Sequence, residues 1–228
     1  MKRSLDLCMG LMGLIAGFPV LLALAVLIKL DSRGPVFYRG VRIGKGGRPF
    51  RIFKFRTMVV DADRIGGPST SDDDPRVTRM GRFIRRHKLD ELPQLLNVLA
   101  GEMSLVGPRP EVPQEVALYT AEERGLLQVL PGITDWASLR FHNEGEILKG
   151  AADPHQAYRE RIRPEKMRLG LEYARAHSVW IDLKIILATV LTVAGLRGRE
   201  LHSAASIVKY ADYAQRHKSA CATAPCHS

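Results

Sequence analysis

The sequence is poor in cysteine: Cys8 lies in an apolar stretch, and Cys221 and Cys226 lie near the C-terminus of the 228-residue chain. Three cysteines at these spacings do not form the framework of a disulfide-stabilised secreted domain. Aromatic residues are also few, at 7%, whereas 46% hydrophobic and 25% charged residues are the proportions of a folded protein. The composition therefore excludes a disordered chain, a collagen-like repeat and a multi-span membrane protein.

Negative charge is in short supply, because 34 Lys and Arg face 24 Asp and Glu for a net charge of +10. Charge of either sign is absent from the 22 residues 7–28. As one straight helix this segment would be about 33 Å long, enough to cross a hydrocarbon core of about 30 Å. A cleaved signal peptide also starts with cations before an apolar run and ends in a small-residue cleavage site, which residues 23–25 (ALA) imitate, but here the apolar run continues through residues 26–28 without a polar c-region.

Pro19 and the flanking cations bear on the path of this apolar segment. A proline inside a helix removes a hydrogen bond and clashes with the preceding turn, which predicts a kink or break near residues 16–18. The positive-inside rule is satisfied if both ends stay cytoplasmic, as in a re-entrant hairpin. Kinked helices also span membranes, so the residues alone leave both paths open. The flanking cations are Lys2, Arg3, Lys29 and Arg33.

The rest of the chain predicts an α+β fold: a small, mostly helical domain with a short β-hairpin. The hairpin joins a strand at 36–42 to a basic strand at 50–56 through a glycine-rich turn. Helical spacing or composition predicts helices at 76–88, 92–99, 121–129, 164–176 and 181–196. The apolar run in the last helix is too short to span a membrane, so this helix lies either in the core or in the membrane interface.

Several polar segments allow more than one interpretation. The basic strand 50–56 interleaves aromatic and cationic residues, which suits nucleic acid, phosphate or anionic headgroups, but no other nucleic-acid motif accompanies it. The arginine face of the helix at 76–88 suits either an anionic membrane surface or solvent. Aspartates at 72–74 and the Cys and His residues of the C-terminal tail are weaker metal candidates, since turn and tail structure explain them as well.

Asp90 and Glu91 are the ionisable pair of greatest interest. Acidic residues at a helix start often only cap free N–H groups, yet the same position attracts phosphate. A carboxylate there can bind Mg²⁺ or attack phosphorus if cations neutralise the phosphate charge. The candidate cations are Lys54, Arg56 and Arg109, and Arg109 lies between two prolines on a stiff backbone that suits bidentate phosphate binding.

Four motifs resemble the bacterial sugar transferases known as monotopic phosphoglycosyl transferases. They are KFRTM at 54–58, LDELPQLLNVL at 89–99, GEMSLVGPRPE at 101–111 and PGIT at 131–134. The resemblance runs from Lys2 to about Thr134, with a looser match to about Leu196.

The resemblance implies a membrane enzyme that moves a phosphosugar from a UDP-sugar to polyprenol (undecaprenyl) phosphate, with release of UMP. It implies that Asp90 is the nucleophile that forms a covalent phosphosugar intermediate, that Glu91 is its partner, and that Mg²⁺ assists at the diphosphate with Asp90 as its ligand. By motif, Lys54 and Arg109 would contact phosphates, and Arg85 would lie near the lipid phosphate or anionic headgroups. Arg56 is predicted to bind phosphate from its charge and place in the basic strand.

The resemblance also implies a topology. Residues 1–33 would form a re-entrant helix-break-helix with the break at Phe18 and Pro19, residues 34–200 a catalytic domain with amphipathic interfacial helices, and residues 201–228 a tail. The protein would be monotopic on the cytoplasmic face of the bacterial inner membrane, with anionic lipids as partners and no nucleic acid. The sugar, the glycan pathway and homo-oligomer formation stay open.

Two segments depart from the family pattern. Phe18 precedes the proline where many members have serine, and residues 135–138 (DWAS) replace a glycine-rich continuation. The rival interpretation from another functional class is a catalytically silent, membrane-tethered basic module that docks on anionic lipid or a partner.

Overall fold

The computed structural model describes residues 1–65, 70 and 73–195. The tail, with its Cys and His residues, and Asp72 lie outside the described residues. The helices are α1 (Lys2–Asp31), α2 (Ala62–Ile65), α3 (Arg79–Arg86), α4 (Leu95–Ala100), α5 (Pro113–Ala117), α6 (Trp136–Arg140), α7 (Glu144–Ile147), α8 (Pro154–Arg161), α9 (Arg163–Ala176) and α10 (Val179–Val193). The strands are β1 (Phe37–Tyr38), β2 (Val41–Ile43), β3 (Pro49–Arg51), β4 (Lys54–Phe55), β5 (Ser104–Val106) and β6 (Gly132–Thr134). Short 3₁₀-helices lie at Lys45–Gly47, Leu89–Gln94 and Glu123–Gln128.

Helix α1 is long and apolar enough to cross a membrane, by length and composition. It runs from Lys2 to Asp31 with Pro19 inside it and without an interruption at Phe18. The predicted re-entrant break therefore stays a prediction. One face of α1 packs on the domain, and much of the rest exposes large apolar side chains, which in a folded protein indicates an interaction surface. They include Leu11, Met12, Ile15, Phe18, Leu22, Val26 and Leu30.

Both ends of α1 contact the same globular domain. Near the start, Asp6 accepts hydrogen bonds from the Ser104 hydroxyl and the Leu105 N–H, the latter at 3.0 Å. At the end, the Asp31 carboxylate accepts a 3.1 Å hydrogen bond from the Met80 N–H at the start of α3. Leu24 and other residues of the second half pack in a buried cluster with β4 and α3. The helix therefore lies along the domain instead of projecting from it at one end.

The predicted β-hairpin is present as two short antiparallel ladders. Strand β1 pairs with β4, and β2 pairs with β3, with Arg42 opposite Phe50. Gly46 and Gly47 in the turn have positive φ angles of 70° and 74°, which glycine adopts without strain. The sequence predicts one strand at 36–42, whereas the structure interrupts it between Tyr38 and Val41.

A parallel strand pair, β5 with β6, was not predicted from the sequence. Ser104 lies opposite Gly132, and Val106 lies opposite Thr134. The two chains pass so closely that a Cβ atom on Gly132 would lie 2.0 Å from the Gly107 nitrogen. Glycine is therefore required at position 132, where the start of β6 passes the backbone of Gly107 just after β5.

The C-terminal helices build most of the second core cluster. Val106, Trp136, Leu169, Tyr173 and Ile185 are buried together there. Helix α9 confirms the predicted helix at 164–176. One face of α10 therefore belongs to the core, while its Leu187, Val190 and Val193 are exposed.

Three helix predictions need correction. Helix α3 starts only at Arg79, because the Thr78 side chain caps it, and of its predicted apolar stripe Ile84 is fully buried while Phe83 is 49% exposed. The helix expected at 92–99 starts instead as a 3₁₀-helix at Leu89 that becomes α4 at Leu95. The segment expected to be helical at 121–129 is a 3₁₀-helix.

Candidate active site

The dyad of Asp90 and Glu91 lies in the first turn of the 3₁₀-helix Leu89–Gln94. Lys88, just before it, has a left-handed backbone with φ of 56°, an uncommon and mildly strained conformation for a residue with a side chain. No side chain caps this 3₁₀-helix, so the dyad does not serve as a simple helix cap. Asp90 is only 4% exposed, which requires a partner for its charge.

Lys54 supplies that partner. Its ammonium lies 2.8 Å from Asp90 Oδ2 and 3.5 Å from Glu91 Oε1. The strand alternation of β4 turns Phe55 into the core, where it is 1% exposed, and leaves Lys54 on the side of the dyad. Asn97 of α4 fixes the approach to β4, because its amide oxygen accepts a 2.8 Å hydrogen bond from the Phe53 N–H.

Arg109 reaches the dyad from the loop after β5. Its guanidinium makes a bidentate ion pair with Glu91, with Nη1 donating to Oε2 at 3.0 Å and Nη2 donating to Oε1. The preceding residues are held in the sheet, since the Gly132 N–H donates to the Pro108 carbonyl at 3.0 Å. The loop thus presents Arg109 in a defined position, and bidentate geometry fixes the guanidinium plane.

The electrostatics of the pair follow from this geometry. Burial alone would raise the pKa of the Glu91 carboxyl, but the charges of Arg109 and Lys54 outweigh burial and hold that pKa far below its usual range. Glu91 in turn raises the pKa of the Arg109 guanidinium, against the opposing effect of burial. Both groups are therefore ionised near neutral pH.

The cluster contains two carboxylates and two cations in contact. Asp90 is held through one oxygen, Oδ2, while Glu91 is held through both. In residues 1–65, 70 and 73–195, no group of three or more His, Cys, Asp or Glu side chains could hold a metal ion. A metal ion at this site would therefore be coordinated by the dyad carboxylates together with substrate oxygens. An arrangement of this kind can present one carboxylate to an electrophile while the second positions a guanidinium.

The structure does not bring Arg56 to this cluster. Its guanidinium donates to the Ser32 carbonyl at 2.7 Å and to the Arg33 carbonyl at 2.6 Å, beyond the end of α1, and the residue is 7% exposed. Arg56 therefore anchors α1 to the domain, and these contacts do not support the expected phosphate-binding role. Arg85 of α3 lies close enough to Asp74 to help lower the pKa of that carboxyl, after the larger effect of its hydrogen bonds with Arg76.

Of the predicted break residues, Phe18 is 63% exposed on α1, and Pro19 lies beside it. Asp74, from the aspartate run considered as a metal site, instead forms a buried ion pair of 2.6 Å with Arg76.

Sequence reasoning missed Asn97, which holds the strand that carries Lys54. It is fully buried, and its amide nitrogen also donates to the Arg51 carbonyl at 3.0 Å. The signal that could have found it is a polar residue among the apolar positions of α4, because buried amides need several partners.

A small cleft lies beside Arg109, lined by Asp135, Ser138 and Lys166 among others. Asp135 is 2% exposed and accepts a 2.6 Å hydrogen bond from the Ser138 N–H at the start of α6. Burial raises the pKa of the Asp135 carboxyl. The cleft thus combines a cation that faces the dyad with a buried acceptor.

A family model described as "Bacterial sugar transferase" matches residues 1–195. The chain is 46% identical over 199 residues to an undecaprenyl-phosphate glucose phosphotransferase from Komagataeibacter xylinus, a match that covers 83% of this chain and 35% of that protein. It is 39% identical over 194 residues to a UDP-glucose:undecaprenyl-phosphate glucose-1-phosphate transferase from Escherichia coli K12, covering 83% of this chain and 39% of that protein. A UDP-N-acetylgalactosamine-undecaprenyl-phosphate N-acetylgalactosaminephosphotransferase from Aeromonas hydrophila is 38% identical over 195 residues, which are 84% of this chain and 43% of that protein. The matched segment thus spans less than half the length of these relatives.

Proposed function

Because the chain belongs to the bacterial sugar transferase family, we propose that it transfers a phosphosugar from a UDP-sugar to polyprenol phosphate, forming polyprenol-diphosphate sugar and UMP. One observation carries the proposal: a buried carboxylate, Asp90, lies 2.8 Å from the Lys54 ammonium, and Glu91 beside it is clamped by Arg109. The rival, a silent docking module, gives no reason for a buried charge cluster of this kind.

In the proposed first half-reaction, a carboxylate oxygen of Asp90 attacks the sugar-bearing phosphorus of the UDP-sugar. The new oxygen–phosphorus bond forms while the phosphorus–oxygen bond to UMP breaks, and its electron pair leaves with UMP. In the second half-reaction, an oxygen of polyprenol phosphate attacks the same phosphorus, and the Asp90 carboxylate leaves.

Lys54 and Arg109 make this attack electrostatically feasible. A carboxylate approaches a diphosphate against charge repulsion, which nearby cations reduce. The Lys54 ammonium holds Asp90 at Oδ2, and Glu91 holds the Arg109 guanidinium in plane. A guanidinium has five N–H donors, so Arg109 keeps donors for a phosphate while it remains paired with Glu91.

The donor set fits a Mg²⁺ ion. Mg²⁺ is commonly held by one or two carboxylates together with water and substrate phosphates, which the dyad and a bound diphosphate can supply. Lys54 and Arg109 are already paired with the dyad, so part of their charge is offset before a diphosphate binds. Asp90 would hold the ion, which when bound would neutralise phosphate charge. EDTA should then stop UMP release, and added Mg²⁺ should restore it.

The decisive experiment measures UMP release with the Asp90→Asn variant in lipid nanodiscs. We expect loss of UMP release and loss of the phosphosugar adduct on the peptide that contains residue 90, while membrane binding stays intact. Asp153→Asn is the matched control, because Asp153 is an exposed cap of α8 and asparagine caps equally well. A normal rate in Asp90→Asn would remove Asp90 as the nucleophile.

We also propose that α1 enters the cytoplasmic face of the inner membrane and returns, so that the protein is monotopic. The contacts of Asp6 with β5 and of Asp31 with α3 support this, since both ends of α1 lie on one domain. Single cysteines at Lys2 and Ser32, in a background that lacks the native cysteines, should both react only from the cytoplasmic side. Labelling of position 2 from outside would establish a spanning helix.

The sugar is proposed by class only. The relatives are named for glucose and N-acetylgalactosamine, so a panel that includes both UDP-sugars is the appropriate screen. The sugar would extend from Arg109 toward the cleft with Asp135, whose carboxyl can accept hydrogen bonds from sugar hydroxyls. Asp135→Asn should change the ranking of the sugars more than it changes the release of UMP from the best one.

A further inference from the structure

Helices α1, α9 and α10 and strand β5 meet in a polar cluster at the end of β5. The Lys2 ammonium of α1 donates to the Val106 carbonyl at 3.1 Å and to Asp182 Oδ2 at 2.7 Å. The Tyr173 hydroxyl of α9 lies 3.0 Å from the same carbonyl and 2.7 Å from Asp182 Oδ1 of α10. Tyr173 is 2% exposed and Asp182 is 1% exposed. The Lys2 ammonium can donate to both acceptors, whereas the one proton of the Tyr173 hydroxyl favours the shorter bond to the Asp182 carboxylate. The cluster therefore fixes the Val106 carbonyl through Lys2, and Tyr173 and Asp182 hold the Lys2 ammonium in place.

That carbonyl belongs to the last residue of β5, three residues before Arg109. The residues between them have little freedom. The Gly107 N–H donates to the Thr134 carbonyl at 3.0 Å, and Pro108 has a fixed φ angle. A stiff segment passes a displacement at one end to the other, so the position of the Val106 carbonyl bears on where Arg109 lies.

We propose that Lys2, Tyr173 and Asp182 are positioning residues that hold the Val106 carbonyl and thereby keep Arg109 in place for substrate phosphate. Because Lys2 belongs to the first turn of α1, this cluster also links the seating of the membrane segment to the catalytic loop. The role of Arg109 in binding substrate phosphate rests on the proposed function. The claim that the cluster fixes the position of the loop before Arg109 does not.

The simpler alternative is that the cluster only attaches α1 to the domain. Other contacts already do that: the Arg3 guanidinium donates to the Val98 carbonyl at 2.7 Å and to the Leu99 carbonyl at 3.1 Å. These contacts hold α1 on α4 without touching Val106. Arg3→Met is therefore a matched control that weakens attachment alone.

The experiment compares Tyr173→Phe with Arg3→Met in the full chain in nanodiscs. Phenylalanine keeps the ring in the core and removes the hydroxyl that lies 2.7 Å from Asp182 Oδ1 and 3.0 Å from the Val106 carbonyl oxygen. We expect the amide of Gly107 to exchange hydrogen about tenfold faster in Tyr173→Phe, as loss of one buried hydrogen bond allows, and to be unchanged in Arg3→Met. Exchange in α3 should stay the same in both, which separates a local change from general unfolding.

The kinetic arm measures the KM for the UDP-sugar and for polyprenol phosphate. Tyr173→Phe should raise the KM for the UDP-sugar about tenfold and leave the KM for polyprenol phosphate unchanged, because only the Arg109 guanidinium shifts relative to the phosphates of the UDP-sugar. Lys2→Met should behave like Tyr173→Phe, and Lys2→Arg should restore much of the wild-type KM.

Equal exchange and equal KM values in Tyr173→Phe and Arg3→Met would overturn the proposal, as would faster exchange throughout the domain. Failure of the wild-type chain to release UMP from any UDP-sugar would instead refute the proposed function. The exchange of the Gly107 amide would still decide whether the cluster positions the loop.

Discussion

Replacement of Lys54 by methionine is the sharpest test of the charge cluster. The substitution keeps the length of the side chain and removes the ammonium that lies 2.8 Å from Asp90 and 3.5 Å from Glu91. Glu91 retains Arg109, but Asp90 is left as a buried carboxylate without that counter-charge. We therefore expect a loss of stability that a second substitution at Asp90 relieves.

The structure sets the size of the effect. Removal of one partner of a buried ion pair costs about 3–5 kcal/mol, and the lower end applies because 21% of the Lys54 side chain is exposed. For a chain of this size about 3 kcal/mol corresponds to a decrease of about 6–12 °C in the unfolding midpoint. Lys45→Met is the matched control: it removes the same charge from the exposed hairpin turn and should cost less than about 0.5 kcal/mol.

The assay is thermal unfolding in one detergent at pH 7 for the wild type, Lys54→Met, Lys45→Met, Asp90→Asn and the double variant Lys54→Met/Asp90→Asn. The double variant should recover at least half of the decrease in unfolding midpoint that Lys54→Met causes, because asparagine removes the carboxylate that has lost the Lys54 ammonium. The reasoning would be refuted if Lys54→Met unfolded at the same temperature as Lys45→Met, or if the double variant were no more stable than Lys54→Met.

Three further predictions concern pH and packing. The folded pKa of Glu91 is depressed below its ordinary value of 4.5, so the stabilisation that its ion pair provides is present above pH 4.5 and is lost as the pH falls below it. The difference in unfolding free energy between wild type and Glu91→Gln should therefore shrink from pH 6 to pH 3 in urea titrations. A constant difference would contradict the pairing. Gly132→Ala places a Cβ atom 2.0 Å from the Gly107 nitrogen, so it should lower both the unfolding midpoint and the rate of UMP release, whereas Gly17→Ala, with nothing within 4 Å, should lower neither. Ile84→Ala empties a fully buried position and should cost about 2–5 kcal/mol in denaturant unfolding; a cost below about 1 kcal/mol would mean that α3 is not seated as described.

The hairpin and α9 were predictable because their signals are local. Glycines mark the turn, as at Gly46, and the segment 164–176 has enough length and composition to define a helix. The pairing of β5 with β6 was not predictable, because each strand has three residues and their partners are distant in the sequence. Arg56 shows the same limit within a motif: its charge suggested phosphate, but only the fold brings it to the end of α1.

The candidate site divides in the same way. Asp90, Glu91, Lys54 and Arg109 were all singled out from the sequence, since carboxylates at a helix start, a cation in a basic strand and a cation between two prolines are recognisable residue by residue. Their pairing could not be predicted, because the contact of Lys54 with Asp90 depends on how β4 packs on the 3₁₀-helix. That packing is supported by the hydrogen bond from the Phe53 N–H to Asn97 of α4. These contacts, and the lack of a side-chain cap on this 3₁₀-helix, argue against the alternative that the dyad merely caps a helix.

The sequence by itself determined that one end of the chain is an uncharged apolar segment and that the chain is cationic, and it singled out candidate residues for the chemistry, because these are properties of composition and short motifs. Tertiary structure alone decided that both ends of α1 rest on one domain, that Arg56 anchors α1, and that Lys2 reaches the Val106 carbonyl three residues before Arg109. These facts depend on contacts between residues 23 to 104 positions apart. Such contacts arise from the packing of whole elements, which no local pattern encodes.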